Sequence, residues 1–283
     1  MPELPEIEVL RRDLEKEVVG RRVKDVQVRP GTNSMKVIRR HGRRKDFADL
    51  LVGAKFERAE RRGRRLVIGL DNARALVVDL GPDGRLLKTS TSDALAPHTH
   101  VVISFTIGGQ LRYVDPTKRG EVFVSEAGEV ESGNGLPRAT LDPLDGQNPL
   151  TWQHFYSLLE AHEAPLKELL MNDEFVCGLG ELYSDEVLFC AGIRFDRPAN
   201  RLSSQDVRRL YRGLMETMHD ALKARGTSLG KNGFRDLQGG PGSFQLELKV
   251  YQREGEPCPR CRHSIEKQPV DGTVTYFCPQ CQS

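Results

Sequence analysis

The sequence has no apolar run near the length of a membrane span, a single tryptophan, and aromatic residues at only 6%. A bilayer-crossing helix needs about 20 consecutive apolar residues, so no membrane partner is expected. The acidic start lacks the basic and apolar regions of a secretory leader, and the default reading is a cytoplasmic protein. There is no internal repeat, which excludes a solenoid, and no low-complexity tract. A strong net charge is also missing, at +2, but this balance is uneven. Residues 1–65 hold 19 Lys and Arg against 11 Asp and Glu, a net of +8, which leaves −6 for the remainder. A basic N-terminal part points to a polyanionic partner. At 283 residues the chain can form more than one domain with its own core.

The first residues are Met1-Pro2-Glu3-Leu4-Pro5-Glu6. Once Met1 is removed, Pro2 offers a secondary amine. The α-amino pKa lies near roughly 8, about two units below lysine, so much of such a group is unprotonated near neutrality. Condensed with an aldehyde carbon, a secondary amine gives only an iminium cation, an electron sink able to drive elimination. Glu3 tethers a carboxyl beside it for proton transfer. The plainer reading of the same residues is an acidic terminus capping the helix that follows.

That helix is expected over 5–19, from the spacing of Ile7, Leu10, Leu14 and Val18. A strand follows at Val23–Val28, then a basic segment over 33–65 with Arg39-Arg40-His41-Gly42-Arg43-Arg44-Lys45 and Arg61-Arg62-Gly63-Arg64-Arg65. Strands are expected at 66–70, 75–80, 101–107, 111–114 and 121–125. Short strands at such intervals suggest an antiparallel sandwich or barrel. Residues 126–150 read as a linker. Four helices follow, around Trp152–Leu159, Leu166–Leu170, Leu182–Phe189 and Val207–Ala224. The segment 226–243 carries six glycines, with Lys231, Phe234 and Arg235 as its large side chains. Leu246, Leu248 and Val250 alternate as a strand. The division is therefore 1–125, a linker at 126–150, a helical part at 151–250 and a cysteine module at 251–283.

Cys258-Pro259-Arg260-Cys261 and Cys278-Pro279-Gln280-Cys281 form two Cys-x-x-Cys pairs sixteen residues apart. This spacing suits one tetrahedral, structural Zn²⁺ held by four thiolates; two disulfides or free thiols are the alternatives. Cys177 and Cys190 read as packing residues.

Taken together, Pro2-Glu3-Leu4-Pro5-Glu6, His98-Thr99-His100, Tyr113-Val114-Asp115-Pro116, Lys167, Gly178-Leu179-Gly180, Tyr183, Glu186, Ala191-Gly192-Ile193, Val250-Tyr251 and the cysteine ribbon resemble the formamidopyrimidine-DNA glycosylase and endonuclease VIII family, end to end. The resemblance implies an α+β protein: an N-terminal β-sandwich, a helix–two-turns–helix domain and a C-terminal zinc ribbon. It also implies a monomer acting on damaged double-stranded DNA in the nucleoid of a bacterial cytoplasm. Pro2 would attack C1′ of a flipped nucleotide, Glu3 would move protons, and β- and δ-elimination would cut the strand. DNA would lie between the domains, touching Arg64, His98, Thr117, Lys118, Arg119, Lys167, Glu181 and Tyr183. His98 and His100 read as structural hydrogen-bonders rather than catalytic groups, and 226–243 as the lesion-reading loop.

Several positions depart from the family pattern. Arg64 replaces a lysine, keeping the charge but losing the proton shuttle. Pro82, Thr117 and Arg119 stand where a Met, Arg and Phe wedge is usual, so the apolar filler is lost; Arg119 is expected to stack by its guanidinium plane. Glu181 replaces an asparagine at a phosphate contact. Thr273 replaces a phosphate-gripping arginine, with Arg260, Arg262 and Lys267 as possible substitutes. These changes leave a damage- or abasic-site-binding protein of the same fold with weak or no base excision as the alternative function, and an RNA-binding zinc-ribbon protein as a third reading.

Overall fold

The computed structural model describes residues 1–31, 34–131, 141–230, 233–270 and 272–283. The chain divides into two units, Met1–Pro137 with Arg225–Ser243, and Arg138–Ala224 with Phe244–Ser283.

The first unit opens with α1 (Leu4–Glu17). Pro5 at its start and the Glu3–Glu6 capping box begin it. Its stripe of Leu4, Ile7, Leu10 and Leu14 is buried. After β1 (Val23–Val28) comes the short α2 (Arg44–Asp49). The strands β2 (Phe56–Arg62), β3 (Arg65–Leu70), β4 (Arg74–Asp79) and β5 (Arg85–Thr89) lead to β6 (Thr99–Phe105), β7 (Gln110–Val114) and β8 (Glu121–Glu126). They form two antiparallel sheets, ordered β1-β6-β7-β5 and β2-β3-β4-β8. Phe56 of one sheet meets Phe105 of the other edge to face, with ring centroids 5.4 Å apart. A β-sandwich results, as expected. Two of its strands were hidden in the sequence. In β2 (FERAERR) charged residues break the apolar pattern, and β5 (RLLKT) is short. A short α3 (Ala127–Glu131) follows β8, where the sequence suggested a linker; much of the rest of that linker, 132–140, lies outside the described residues.

The second unit contains α4 (Trp152–Glu160), α5 (Leu166–Met171), α6 (Glu181–Ala191) and α7 (Ser204–Lys223). The Thr151 hydroxyl caps α4, and a Ser203–Asp206 capping box starts α7. Gly192 ends α6 in the left-handed region at φ +66. Gly213 allows α7 to approach α6, since a Cβ there would lie 3.1 Å from the Val187 carbonyl. The hairpin of β9 (Glu266–Val270) and β10 (Thr273–Phe277) completes the unit.

Two expectations change. Residues 246–250 are not a strand. Phe244–Leu246 is a single 3₁₀ turn, and the N–H groups of Lys249, Val250 and Tyr251 all donate to the buried Glu186 carboxylate at 2.9–3.1 Å. Donors spent on one carboxylate cannot build a ladder. The segment Arg225–Ser243, grouped by sequence with the helices, clusters with the strands. There Arg225 bridges Asp13 (2.6 Å) and Asp236 (2.7 Å), and Leu237 accepts from the N–H of Lys88.

Within the first unit, α1 is pinned to the sheet by Glu8, whose carboxylate accepts from Arg61 of β2 at 2.8 Å and from Arg11 and Arg12. The Glu8 and Arg61 side chains are 5% and 4% exposed. Burial opposes the charge on Glu8, but the three guanidinium groups outweigh it and hold its pKa below the ordinary 4.5. A depressed carboxylate pKa stabilises the fold fully above the ordinary value, and that contribution fades as pH falls through the native one. Glu8→Gln should therefore flatten the dependence of stability on pH below 4.5, measured by chemical denaturation. Arg61→Ala removes the one buried guanidinium of the three and should cost about 1–3 kcal/mol at neutral pH.

Candidate active site and metal centre

The N-terminus of the first unit is held by a carboxylate. Pro2 and Glu3 are buried, whereas Met1 is 63% exposed. Glu6, 2% exposed, accepts the Glu3 N–H on Oε2 at 2.9 Å and the Thr227 N–H on Oε1 at 2.6 Å. One side chain thus fixes both the start of the chain and the entry to segment 226–243. The approach leaves no room for a Cβ at Gly226 (φ +82), which would fall 2.7 Å from Glu6 Oε1. Arg64, in the β2–β3 turn, brings a guanidinium nitrogen to 3.9 Å from the Met1 sulfur. Further along 226–243, Phe234 is buried, and its carbonyl accepts from the Ser228 hydroxyl at 2.6 Å. Arg235 is half-buried; Lys231 lies outside the described residues.

A second cluster in the same unit is organised by Asp115. Its carboxylate accepts from the Tyr113 hydroxyl (3.1 Å), the Gly120 N–H (2.9 Å), and both the N–H and the hydroxyl of Thr117 (2.9 Å each). Burial opposes its charge, yet these donors keep its pKa low. Burial also raises the pKa of Tyr113, with the Asp115 charge adding to it, so the phenol stays a neutral donor. The 115–120 loop is consequently shaped from within. It presents exposed Thr117 and Arg119, with Lys118 between them at φ +54. Arg119 reaches Asp83 of the neighbouring 81–84 turn at 3.5 Å. His98 is exposed at φ +62 and its carbonyl accepts the Asp115 N–H, while buried His100 meets the Asp115 carbonyl through Nε2 at 2.8 Å.

In the helical unit the structure corrects two expected DNA contacts. Lys167 is 1% exposed, and its ammonium donates to Asp185 (2.7 Å) and to the Glu181 carbonyl (2.8 Å). Asp185 also accepts from the Thr275 hydroxyl and the Tyr276 N–H. Lys167 therefore ties α5 and α6 to β10 from inside. Tyr183 is 1% exposed and packs on Phe244, with centroids 5.5 Å apart. Glu181 is half-buried in the first turn of α6, where the helix dipole favours a carboxylate.

Sequence reasoning missed Glu6 and Asp115 as organisers. The signal for Glu6 was its place three residues into a helix, where a capping glutamate belongs.

The thiols of Cys258, Cys261, Cys278 and Cys281 lie within 4.8 Å of one another, and the six cysteines are free of disulfides. Burial resists ionisation of Cys258, but N–H groups of Cys261 and Arg260 overcome it and lower its pKa to about 7, which suits a thiolate ligand. The knuckles are anchored to α6. Gln282 accepts the Cys278 N–H at 2.9 Å and donates to the Ile193 carbonyl at 3.1 Å. Arg260 donates to the Phe189 and Cys190 carbonyls at 2.7 and 2.9 Å, so it caps α6 rather than waiting for a phosphate. Thr273 turns its hydroxyl to the Val270 carbonyl, Lys267 is 3.7 Å from Glu254, and Arg262 is exposed at φ +69. Cys177 is buried; Cys190 is half-buried, 3.6 Å from Glu216, and burial with that carboxylate raises its pKa.

A sandwich with an anchored Pro2-Glu3 start, a helical unit and a four-thiolate ribbon define a zinc-ribbon DNA glycosylase class of fold. The comparisons agree. Residues 1–122 match the formamidopyrimidine-DNA glycosylase N-terminal domain, 140–232 its H2TH domain, and 255–283 the zinc finger found in FPG and IleRS. Formamidopyrimidine-DNA glycosylase of Pelotomaculum thermopropionicum is 33% identical over 282 residues, covering 100% of this chain and 99% of that protein. The Bacillus cereus protein of that name is 35% identical with the same coverage. Among solved structures, MutM (Fpg) of Thermus thermophilus superposes with a TM-score of 0.84 at 33% identity, covering 99% of this chain and 98% of the other. Lactococcus lactis Fpg in complex with abasic-site DNA gives 0.87 at 28% identity, covering 99% of each. The chain belongs to the formamidopyrimidine-DNA glycosylase family. Its ribbon cysteines hold one structural zinc. Among the described residues, no helix is long and apolar enough to cross a membrane.

Two outcomes test these assignments. Lys167→Ala should destabilise the protein by about 3–5 kcal/mol in chemical denaturation, because it strands a buried carboxylate. In a folded background the salt dependence of DNA binding should not change. Titration with a mercurial should release one equivalent of zinc, and the demetallated protein should melt at lower temperature because α6 loses its anchored ribbon.

Proposed function

We propose that this protein excises damaged bases from duplex DNA and cuts the strand at the resulting abasic site, acting as a monomer on the DNA of a bacterial cytoplasm. The observation that carries the reading is the buried Pro2-Glu3 start, fixed by Glu6 to the segment at Thr227. Removal of Met1 is required, since an acylated proline nitrogen has no lone pair to donate. The free imino nitrogen attacks C1′ of the damaged nucleotide, and the base leaves with a proton. Glu3 protonates the ring oxygen, the sugar opens, and C1′ is held as an iminium. Loss of a C2′ proton then expels the 3′ phosphate, and a second elimination expels the 5′ phosphate. Water hydrolyses the iminium and restores Pro2. Arg64, beside the first residue, holds a phosphate near the reacting sugar, with His98, Thr117, Lys118 and Arg119 contacting the strand. The Lactococcus lactis neighbours in complexes with abasic-site DNA and Fapy-dG DNA support this substrate class.

The rim loops shape the preference among lesions. Pro82 and Thr117 are small, and Arg119 is paired with Asp83. They supply no large apolar side chain to fill the gap left by a flipped base. Lesions that already distort the duplex, abasic sites above all, are therefore better substrates than an oxidised purine in a well-stacked duplex.

Strand-cutting assays on duplexes bearing an abasic site, a formamidopyrimidine or an oxidised purine test the reading. The wild type should cut the abasic duplex fastest. Glu3→Gln should slow base release by about 10²–10⁴-fold, the usual worth of a placed acid–base group. A protein that retains lesion DNA while leaving every strand whole would instead be a damage-binding module.

A further inference from the structure

Antiparallel register sets one row of residues across the end of the β2-β3-β4-β8 sheet. Arg62 stands opposite Arg65, Arg65 opposite Asp79, and Asp79 opposite Glu121. The turn carrying Arg64 and the 81–84 and 115–120 loops all adjoin this end. Beyond β8 the row continues into Arg39 and Arg40, which reach the two Glu121 oxygens at 3.2 and 3.4 Å. Arg40 also lies over the Phe123 ring, 3.8 Å from its centroid. The segment bearing these arginines is firmly seated. Val37 and Ile38 are fully buried, and His41 accepts the Val124 N–H of β8 on Nε2 at 3.1 Å. Burial lowers the His41 pKa against the pull of Glu121 and Asp46, which keeps the ring neutral and able to accept.

Cations outnumber acids along the row. Arg65 pairs with Asp79, Arg39 and Arg40 share Glu121, and the next turn adds Arg43, Arg44 and Lys45 against Asp46 and Asp49. The Arg39, Arg40 and Arg43 side chains are 55%, 43% and 80% exposed. A guanidinium has five N–H donors, so pairing with Glu121 leaves others for a ligand. The strand register sets Arg62, Arg65, Asp79 and Glu121 in a line across the sheet end. From β2 to β8 the line crosses three strand spacings, about 14 Å, a length over which one strand of duplex DNA carries about four phosphates.

We infer that the row Arg62–Arg65–Arg39–Arg40, continued by Arg43–Lys45, is a second phosphate-binding track for the duplex backbone outside the lesion. It rests on the glycosylase reading above. It provides cationic grip that Glu181 and Thr273 do not offer in the helical unit. Because phosphate contacts carry no base information, the track acts alike on damaged and undamaged duplex.

The test compares two variants with the wild type. One is Arg43→Gln/Arg44→Gln/Lys45→Gln. The other is Arg39→Gln/Arg40→Gln/Glu121→Gln, which removes the buried carboxylate together with its partners so that folding is not compromised. Binding is measured across a salt series on a duplex with a stable abasic-site analogue and on the undamaged duplex. At about 0.9 for each phosphate no longer neutralised, the slope of log K against log salt should fall by up to about 2.7 units in the first variant and about 1.8 in the second, on both duplexes. Borohydride trapping on abasic DNA at low salt should stay at the wild-type level. Unchanged slopes in variants that melt like the wild type overturn the track, as does a fall confined to the abasic duplex. If the wild type traps no adduct while the slopes still fall, the lyase reading fails and the track stands.

Discussion

One carboxylate holds the start of the chain in place. Glu6 is buried, and its two oxygens accept backbone N–H groups from Glu3 and Thr227, the latter 221 residues away in the chain. A carboxylate withdrawn from water must be paired or hydrogen-bonded, so its burial and the joining of these two segments are one requirement. It explains why the glycine-rich segment belongs with the strands although the helices precede it in sequence. It also explains why residue 226 has no side chain. A chain terminus would otherwise fray; here the first helical turn and a distant segment hold it.

The same economy recurs elsewhere in the molecule. Asp115 gathers the donors of its own loop, Asp185 collects Lys167, Thr275 and Tyr276, and Glu186 takes three consecutive N–H groups. Each buried acid orders backbone that regular ladders leave unpaired. Burial raises the pKa of Glu186, and the N–H groups of Tyr251, Val250 and Lys249 pull against it. Several exposed cations pair at the surface instead. Arg119, Arg39 and Arg40 lean on acids yet remain open to solvent, the state suited to exchanging a protein carboxylate for a phosphate.

Features governed by local chemistry could be read from the sequence. The cysteine spacing follows from tetrahedral coordination. The helices from α4 to α7 announced themselves by periodicity. Features decided by distant partners could not be read. Lys167 and Tyr183 look like surface contacts until Asp185 and Phe244 are found against them. Arg260 looks free for phosphate, but the end of α6 consumes it. The charged strand β2 is invisible because Arg61 is neutralised by Glu8, on a helix far away in the chain.

The central claim is that the free nitrogen of Pro2 is the group that attacks the sugar. The direct measurement is tandem mass spectrometry of the protein after borohydride reduction with abasic-site DNA and nuclease digestion. The account predicts a peptide that begins at Pro2, lacks Met1, and carries the reduced sugar remnant on the proline nitrogen. A remnant on a lysine, or an unmodified terminus still bearing Met1 in protein that has cut the DNA, would contradict it.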